Sequence, residues 1–379
     1  MSVSSSEHVS LVVSTMNRSA FLIRLLRYYA EMGFQGRLVI GDASDDDHAE
    51  RSAEAVRALS GTLRVDLHRY PGLNEPETSR QLLALVTTPY VALLPDDDVI
   101  VPEPLAECAA FLGRHPDYSL AHGRAVMLML QRSGSTGPVE AVWPHYWGEE
   151  HSGTGAQRLL NFLGPNYFTT LFSVHRTPQM RAIYQQRRAA PVLRDKVLTE
   201  VLAGCLSVIH GKVKRLDLLY VVRQHHNQRY LPSDFYDWLT GPEWFLAYDA
   251  FRDCLADELV KQDGLQIEDA REVVKRAFWP WLANRLMSRW RRYAGLDGQR
   301  VGRLREAARQ VPGLKKAWRA LRLLLPGAEG AISLLALLRP TSPYHGDFMP
   351  VYQAVTEAGS SPHRAETAQD LVAASQAVV

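Results

Sequence analysis

Cysteine is scarce in this 379-residue sequence, and its scarcity excludes several classes of protein. The three cysteines, Cys108, Cys205 and Cys254, are widely separated and form no CxxC pair. Disulfide-rich domains carry a dense, even-numbered set of cysteines, and thiolate zinc sites space theirs closely. The sequence therefore predicts neither a disulfide framework nor a thiolate zinc site, and its few thiols are typical of a reducing cytoplasm.

Long apolar runs and a large net charge are also lacking. The first residues, MSVSSSEHVS, have neither the basic nor the apolar stretch of a signal peptide. The apolar run AISLLALL at 331–338 is far shorter than the ~20 residues of a membrane-spanning helix. The formal net charge of +2 gives no indication of a nucleic-acid partner. We therefore expect a soluble cytoplasmic protein, with at most a peripheral contact on the inner face of the membrane.

The first 100 residues alternate between apolar strands and amphipathic helices. Strand patterns occur at 9–15, 36–44, 63–70 and 90–95. The helical patterns between them fall at about 48–60, at about 76–87, and after the first strand, where one apolar face is followed by Gly33 and consists of Phe21, Leu22, Leu25, Leu26 and Tyr29. This order predicts an α/β fold with an open, mostly parallel sheet and flanking helices. Ligands of such sheets bind beyond the carboxyl ends of the strands.

The pattern is weaker in the rest of the chain. Residues 134–155 are rich in Gly, Trp and His and predict long loops that shape a cleft. A helix is predicted over about 195–209 and a strand after Gly211. The apolar stripe of that helix consists of Leu198, Val201, Leu202, Cys205 and Ile209. After about residue 232 only helical patterns remain, so we expect a catalytic α/β domain over 1–230 and a helical C-terminal region over 231–379.

Three consecutive aspartates, Asp96, Asp97 and Asp98, follow the fourth strand directly. Adjacent carboxylates repel one another and are costly to bury unless a cation lies between them. Mg²⁺ and Mn²⁺ prefer such oxygen ligands and often share the phosphate oxygens of a substrate. The cluster therefore predicts a divalent-cation site, and the alternative is a solvated acidic turn or a helix N-cap. No Gly-x-Gly-x-x-Gly follows the first strand, so a cation would replace a glycine cradle for phosphates.

These segments resemble the N-terminal half of a family-2-type glycosyltransferase with the GT-A fold, in the nucleotide-diphospho-sugar transferase superfamily. The resemblance is good over 8–112 and weaker over 160–226. It depends on the order of a T-x-N-R-like turn after the first strand, an Asp at the end of the second, and an Asp-x-Asp motif after the fourth. It implies an inverting, Mn²⁺- or Mg²⁺-dependent transfer of a sugar from a nucleotide diphosphate donor to an acceptor hydroxyl. A glycan or lipid-linked acceptor and a role in surface polysaccharide or glycoconjugate synthesis are expected.

The resemblance also implies positions for the nucleotide. Thr15, Arg18 and Asp42 would line its pocket, and Arg80 would lie near the diphosphate. Asn74 and Glu75, in the loop before Arg80, receive no role.

Two registers of the aspartate motif remain open. Asp96 and Asp98 form a literal Asp-x-Asp. The family often begins its motif one residue earlier, where this chain has Pro95. In that register Asp97 would bind the metal and Asp96 would lie beside the ribose or phosphate.

The resemblance further implies an acidic general base near the start of a later helix, and LRDKVLTEVLAG offers Asp195 and Glu200. Five helical residues separate the two by about 140° around the axis, so both cannot face one pocket. Asp195 is preferred because it stands at the predicted N-terminus, where the helix dipole would keep it ionised. Glu200 remains the alternative, and either residue could instead be an N-cap or part of a solvated face.

The segment VRQHHN resembles the place where the family often has a further metal- or phosphate-binding group. His225 or His226 would fill it, with Arg223 available for phosphate. Strand alternation sends the two histidines to opposite faces, and His226 is taken as the candidate metal ligand. A surface or packing role is the alternative for both.

The C-terminal region is strongly basic, with 15 Lys or Arg against 4 Asp or Glu over 271–330. Leu314, Trp318, Leu321 and Leu325 share one helical face there. A basic amphipathic helix within 300–340 would suit an anionic bilayer. Alternatively it packs on the catalytic domain or in a homodimer.

Two other functions of the protein also remain open. One is a nucleotidyltransferase, although STMNRSAFL lacks the glycine-rich, lysine-bearing loop that such an enzyme would need. The other is a non-catalytic nucleotide-binding module.

Overall fold

A nine-stranded sheet forms the centre of the molecule. The computed structural model describes residues 6–164, 167–186, 191–226, 235–294 and 332–356. The strands are β1 Val9–Thr15, β2 Arg37–Asp42, β3 Arg64–Arg69, β4 Tyr90–Pro95, β5 Val99–Ile100, β6 Tyr118–Leu130, β7 Val139–His145, β8 Val174–Arg176 and β9 Lys212–His225. Their order is β3-β2-β1-β4-β8-β6-β9-β5, with β7 beside β6. β1 to β4, β6 and β9 run in one direction, because the short β8 is antiparallel to both β4 and β6.

Twelve α-helices occur in the described ranges. They are α1 Ser19–Glu31, α2 Asp46–Leu59, α3 Glu75–Leu85, α4 Pro102–Arg114, α5 Gly155–Leu163, α6 Thr177–Gln185, α7 Lys196–His210, α8 Phe235–Leu239, α9 Trp244–Asp263, α10 Ile267–Tyr293, α11 Leu334–Leu338 and α12 His345–Thr356. The predicted α/β class, the mostly parallel sheet and the helical C-terminal region are confirmed.

The predicted apolar faces of α1 and α7 are buried in the core. All five residues predicted for α1 and all five predicted for α7 are at most 2% exposed. The helix α1 ends at Glu31, and Gly33 follows with φ +59°, a left-handed conformation that favours glycine at a helix end. Periodicity alone therefore located these two helices and their core faces.

The prediction of long loops over 134–155 was wrong for 139–145, and the residues on either side of this stretch, 134–138 and 146–154, form no helix or strand. The strand β7 lies within that segment and pairs antiparallel with β6, Trp143 opposite Met127. Only one of its seven residues, Val142, is buried. The strand also contains Pro144, which is tolerated because β7 pairs on one side only. A strand with one buried residue gives almost no hydrophobic alternation to detect.

The C-terminal helices pack on the α/β part and extend its core. The helix α9 contacts α5 and α7, α10 contacts α5 and α9, and α12 contacts α1 and β7. Phe251, Phe278 and Phe348 are buried in the same continuous cluster as the sheet. The boundary predicted near residue 230 stays a prediction. No helix in the described ranges is long and apolar enough to cross a membrane.

Candidate functional site

Strand register brings the predicted polar strand ends together. In the parallel pairs, Thr15 lies beside Asp42 and Ser14 lies beside Pro95. Asp96 therefore emerges next to Thr15, whose hydroxyl donates to Asp96 Oδ2 at 2.6 Å. Each carboxylate lies at the carboxyl-end edge of the sheet because the strand before it is apolar and buried.

The turn between β1 and α1 is fixed by Asn17. Its φ of +55° is in the left-handed region, which asparagine tolerates better than most residues. The backbone N–H of Asn17 donates to Ser44 Oγ at 2.8 Å, and the side-chain Oδ1 of Asn17 accepts from the backbone N–H of Asp45 at 2.9 Å. These hydrogen bonds connect the turn to the loop after β2, and the turn places Arg18 next to the aspartates.

Arg18 bridges the first two aspartates with one guanidinium. Its Nη2 lies 2.5 Å from Asp96 Oδ1, and its Nη1 donates to Asp97 Oδ2 at 3.2 Å. His226 Nε2 contacts that same Asp97 oxygen at 2.8 Å, and its ring stacks on Phe21 at 4.7 Å. His226 is buried beside the cluster, whereas His225 is exposed, as strand alternation predicts.

Asp98 belongs to a different set of contacts. Its Oδ2 accepts from Arg223 Nε at 2.7 Å and its Oδ1 from the backbone N–H of Gln224 at 2.9 Å. Arg24 Nη2 donates to the backbone carbonyl of Asp97 at 2.7 Å. Three arginines therefore surround three carboxylates, and the repulsion evident in the sequence is already offset by the protein's own cations.

The environment separates the pKa values of neighbouring aspartates. Burial raises the pKa of Asp96 to about 7, although Arg18 acts in the opposite direction. Burial also disfavours charge on Asp97, but the hydrogen bond from His226 and the charge of Arg18 outweigh it and lower the pKa of Asp97 to about 2. Asp97 is therefore the firmly ionised member of this pair.

The geometry determines which aspartates fit a divalent cation. Both oxygens of Asp98 accept hydrogen bonds, so Asp98 does not fit. Asp96 Oδ1 is buried and has no hydrogen-bond partner in the described residues, since Arg18 is close to it but poorly aligned. No group of three or more His, Cys, Asp or Glu within those ranges has the arrangement of a metal site. The residues fit a cation held by Asp96 and Asp97 that takes its remaining ligands from outside the protein and displaces Arg18, rather than a cation enclosed by protein ligands alone.

Asp42 keeps one oxygen unsatisfied. The side chain is fully buried, and its Oδ1 accepts from the Ser44 amide at 2.8 Å. Its Oδ2 is buried without a partner among the described residues. A buried carboxylate oxygen without a donor is costly, so this position suits a ligand that supplies an N–H or O–H group.

A cavity of about 780 Å³ opens beside these strand ends. Its size is that of a typical small-molecule site. Of the charged residues that line it, the cations are Arg18 and Arg285 and the acids are Glu75 and Glu200. Further lining residues include Thr15, Asn17, Asn74, Thr78, Tyr167, Tyr184, Val197, Thr199 and Trp281.

The two candidate bases lie in different environments. Asp195 is the N-cap of α7, where its Oδ1 accepts from the Val197 and Leu198 amides at 2.9 Å each. Its Oδ2 accepts from the indole of Trp238. Glu200 lines the cavity and accepts from the Tyr167 hydroxyl at 3.2 Å. The preference for Asp195 is therefore not supported by the geometry, because both of its oxygens serve the fold.

The side chains of Arg80 and Arg223, both predicted to contact phosphate, pair with acidic side chains of the protein instead. Arg80 pairs with Glu77 at 2.7 Å on the surface of α3 and does not line the cavity. Arg223 is engaged with Asp98 and lies over the Phe172 ring, 4.6 Å from its centroid. Neither position supports direct contact with a diphosphate in the cavity.

Several lining residues were missed by sequence reasoning. Asn74 is the N-cap of α3, a role that its position before EPE could have indicated. Trp281 and Arg285 come from α10, far from every motif in the sequence. The Arg285 guanidinium lies 5.4 Å from the Tyr167 ring centroid and 5.7 Å from that of Trp281. Only the packing of α10 against the α/β part brings this group to the cavity.

Comparison with known proteins gives structural neighbours but no family. No protein-family model and no curated protein matches the sequence. The chain is similar to the crystal structure of S. aureus TarS, with 18% identity and a TM-score of 0.44, over 70% of this chain and 42% of that one. It is also similar to the crystal structure of S. aureus TarS 1–349, with 18% identity and a TM-score of 0.46, over 75% of this chain and 72% of that one. For S. aureus TarS 1–349 in complex with UDP-GlcNAc, the identity is 17% and the TM-score is 0.45, over 74% of this chain and 72% of that one. This chain thus spans less than half of the longer TarS chain, and similarity at this level does not assign it a family or an activity.

Proposed function

We propose that this protein is an inverting, metal-dependent glycosyltransferase that moves a sugar from a nucleotide diphosphate donor to an acceptor hydroxyl. One observation carries the proposal. A cavity that contains the carboxylate Glu200 is also lined by Thr15 and Arg18. Arg18 bridges Asp96 and Asp97 behind that lining, and Thr15 lies beside Asp42, which keeps an unsatisfied oxygen. Glycosyl transfer requires a nucleotide site, a centre that tolerates diphosphate charge and a base, and each has a candidate here.

The nucleotide would bind at the ends of β1 and β2. Asp42 Oδ2 would accept a hydrogen bond from the base or the ribose, and Thr15 and Asn17 would line the same side. Arg18, released from the aspartates, would contact a diphosphate oxygen. Mn²⁺ or Mg²⁺ bound by Asp96 and Asp97 would supply Lewis-acid stabilisation of the leaving diphosphate.

Glu200 would act as the general base. It would take the proton of the acceptor hydroxyl as that oxygen forms a bond to the anomeric carbon, while the bond from that carbon to the diphosphate oxygen breaks. The Tyr167 hydroxyl supports this role because it donates to Glu200 Oε1. Burial and the charge of Glu200 raise the pKa of Tyr167 well above its usual value, so it remains a donor. Acceptor attack opposite the departing nucleotide would invert the configuration.

Thermal unfolding with UDP, GDP, CDP and TDP tests the nucleotide site. One nucleotide should raise the midpoint in the presence of Mn²⁺ or Mg²⁺ and do so less with EDTA. A ligand at a hundred times its Kd adds about 2.7 kcal/mol of stability. Asp42→Ala should abolish the shift, with Asp66→Ala, on the edge strand β3, as the matched control.

Turnover distinguishes the alternative functions. Incubation with nucleotide sugars should release the nucleoside diphosphate and, with an acceptor, give a glycosylated product by mass spectrometry. Pyrophosphate release from a nucleoside triphosphate and a sugar phosphate would instead identify a nucleotidyltransferase. Nucleotide binding with no turnover of any donor would identify a binding module.

A glycan or lipid-linked acceptor, surface polysaccharide or glycoconjugate synthesis and a cytoplasmic location remain part of this proposal. The membrane contact predicted through 300–340 lies largely outside the described residues, as does its amphipathic helix at 314–325. A homodimer also stays a prediction.

A further inference from the structure

From Trp279 onward, α10 exposes large apolar side chains to solvent. Trp279, Met287 and Trp290 are 47%, 48% and 56% exposed. With 3.6 residues per turn, Trp290 lies about 20° from Trp279 around the axis and about 17 Å along it, and Met287 lies within about 80°. Together with Ala283 and the half-buried Leu286 they form one stripe, here called the tryptophan stripe. Soluble proteins rarely expose two tryptophans on one helix face without a partner.

Positive charge flanks the tryptophan stripe. From 275 to 293 the sequence has six Lys or Arg and no Asp or Glu. Lys275, Arg276 and Arg291 are exposed. Along α10 the nearest preceding acid is Glu272, which pairs with Lys275 at 3.7 Å. An apolar stripe with tryptophans, bordered by cations, is typical of helices that lie in the headgroup region of a bilayer.

We propose that the tryptophan stripe docks on an anionic lipid surface. Charge complementarity favours this occupant over the two others that the chain offers. A second copy would bring an equally cationic face against the first. The following segment, 295–331, has 8 Lys or Arg against 3 Asp or Glu and would also add positive charge. Anionic headgroups instead attract each flanking Lys or Arg while the tryptophans enter the interface.

The docked helix also forms a wall of the candidate site. Trp281 and Arg285 line the cavity from a different side of α10, Arg285 about 120° from Trp279 around the axis. Docking through the tryptophan stripe would therefore hold the cavity close to the headgroups without covering it.

Vesicle co-sedimentation of the full chain tests the proposal independently of catalysis. The protein should bind mixed phosphatidylglycerol–phosphatidylcholine vesicles, bind phosphatidylcholine alone weakly, and dissociate as salt is added. Trp279→Ser with Trp290→Ser should lower the partition about tenfold or more, and Arg276→Gln with Arg291→Gln should do so through the charge. Leu85→Ser, an exposed leucine on α3, is the matched control and should change nothing. Circular dichroism and thermal unfolding verify that each variant folds.

Several results would overturn the proposal. These are no binding by the wild type, equal binding to both vesicle types, or unchanged binding by the double tryptophan variant. Light scattering that shows a dimer lost in that variant would assign the stripe to a second copy. If the wild type does not bind vesicles and hydrogen exchange over 300–326 is faster in that variant, the tryptophan stripe would be assigned to a contact with the chain's own segment 295–331.

Discussion

Two substitutions distinguish the roles of Asp195, the N-cap of α7, and Glu200, within α7. Glu200→Gln removes the proposed base but keeps an oxygen for the Tyr167 hydroxyl, which lies 3.2 Å away. Asp195→Ala removes the N-cap that accepts from two backbone amides and the acceptor of the Trp238 indole. The first change should therefore affect turnover and the second should affect stability.

The expected magnitudes differ enough to be measured separately. A positioned general base contributes ~10²- to 10⁴-fold, so Glu200→Gln should lower kcat by that factor, or about 3 to 5 kcal/mol in the barrier. Its free energy of unfolding should change by about 0.5 kcal/mol or less, because the shape is kept. Asp195→Ala should lose about 2 kcal/mol of stability, from the cap and the indole contact, with kcat within about twofold of wild type.

Release of nucleoside diphosphate gives kcat, and urea unfolding gives stability. Nucleotide affinity, measured by titration, should be unchanged in both variants and confirms that each site is intact. Full turnover by Glu200→Gln, or an inactive Asp195→Ala variant that is as stable as wild type, would contradict these two roles. The second outcome would return the role of base to Asp195.

Three further predictions concern charges. Arg18→Met leaves Asp96 and Asp97 without their shared counterion, so the free energy of unfolding should fall by ~3 kcal/mol in EDTA. Mn²⁺ should restore part of this loss, and the variant should bind Mn²⁺ more tightly than the wild type does, as measured by electron paramagnetic resonance. A variant whose stability does not respond to Mn²⁺ would contradict the cation site. Arg80→Gln should keep nucleotide affinity within about twofold, because an exposed pair with Glu77 contributes only ~0–1 kcal/mol. A tenfold loss of nucleotide affinity, measured by titration, would indicate that Arg80 contacts the diphosphate. The hydrogen bond from His210 lowers the pKa of Glu258 to about 2, so its carboxylate adds stability above pH 4.5 that is lost as the pH falls towards 2. Glu258→Gln should remove about 2 kcal/mol of this pH dependence from the free energy of unfolding measured in urea. An unchanged dependence on acid pH would argue against the pair.

Local patterns in the sequence were sufficient for the first half of the fold. The strands β1 and β4 are continuous apolar runs because both of their faces are covered, and α1 and α7 have strict helical stripes. The parallel arrangement follows from the alternation of these elements. It predicts that Thr15, Asp42 and the three aspartates meet at one edge, and the register confirms that meeting.

The roles of charged residues could not be read in the same way. The sequence shows that three adjacent carboxylates need cations, but it does not show that Arg18, Arg24 and Arg223 supply them. Arg223 is 125 residues from Asp98 along the chain. Such pairs depend on which side chains the sheet brings within a few ångströms, and that is a property of tertiary packing.

The same limit explains the base and the cavity wall. An acid at the start of a helix and an acid one turn later have equal standing in a sequence, because an N-cap and a catalytic carboxylate use the same residue type. Asp195 became a cap because the backbone amides of α7 and the Trp238 indole reach it. Trp281 and Arg285 reached the cavity because α10 packs against α5. Local sequence patterns predicted the strands β1 to β4, the helices α1 and α7 and the edge where polar residues meet, since these patterns depend on neighbours within a few residues. The tertiary structure alone decided which charge meets which, since those distances depend on contacts between residues far apart in the chain.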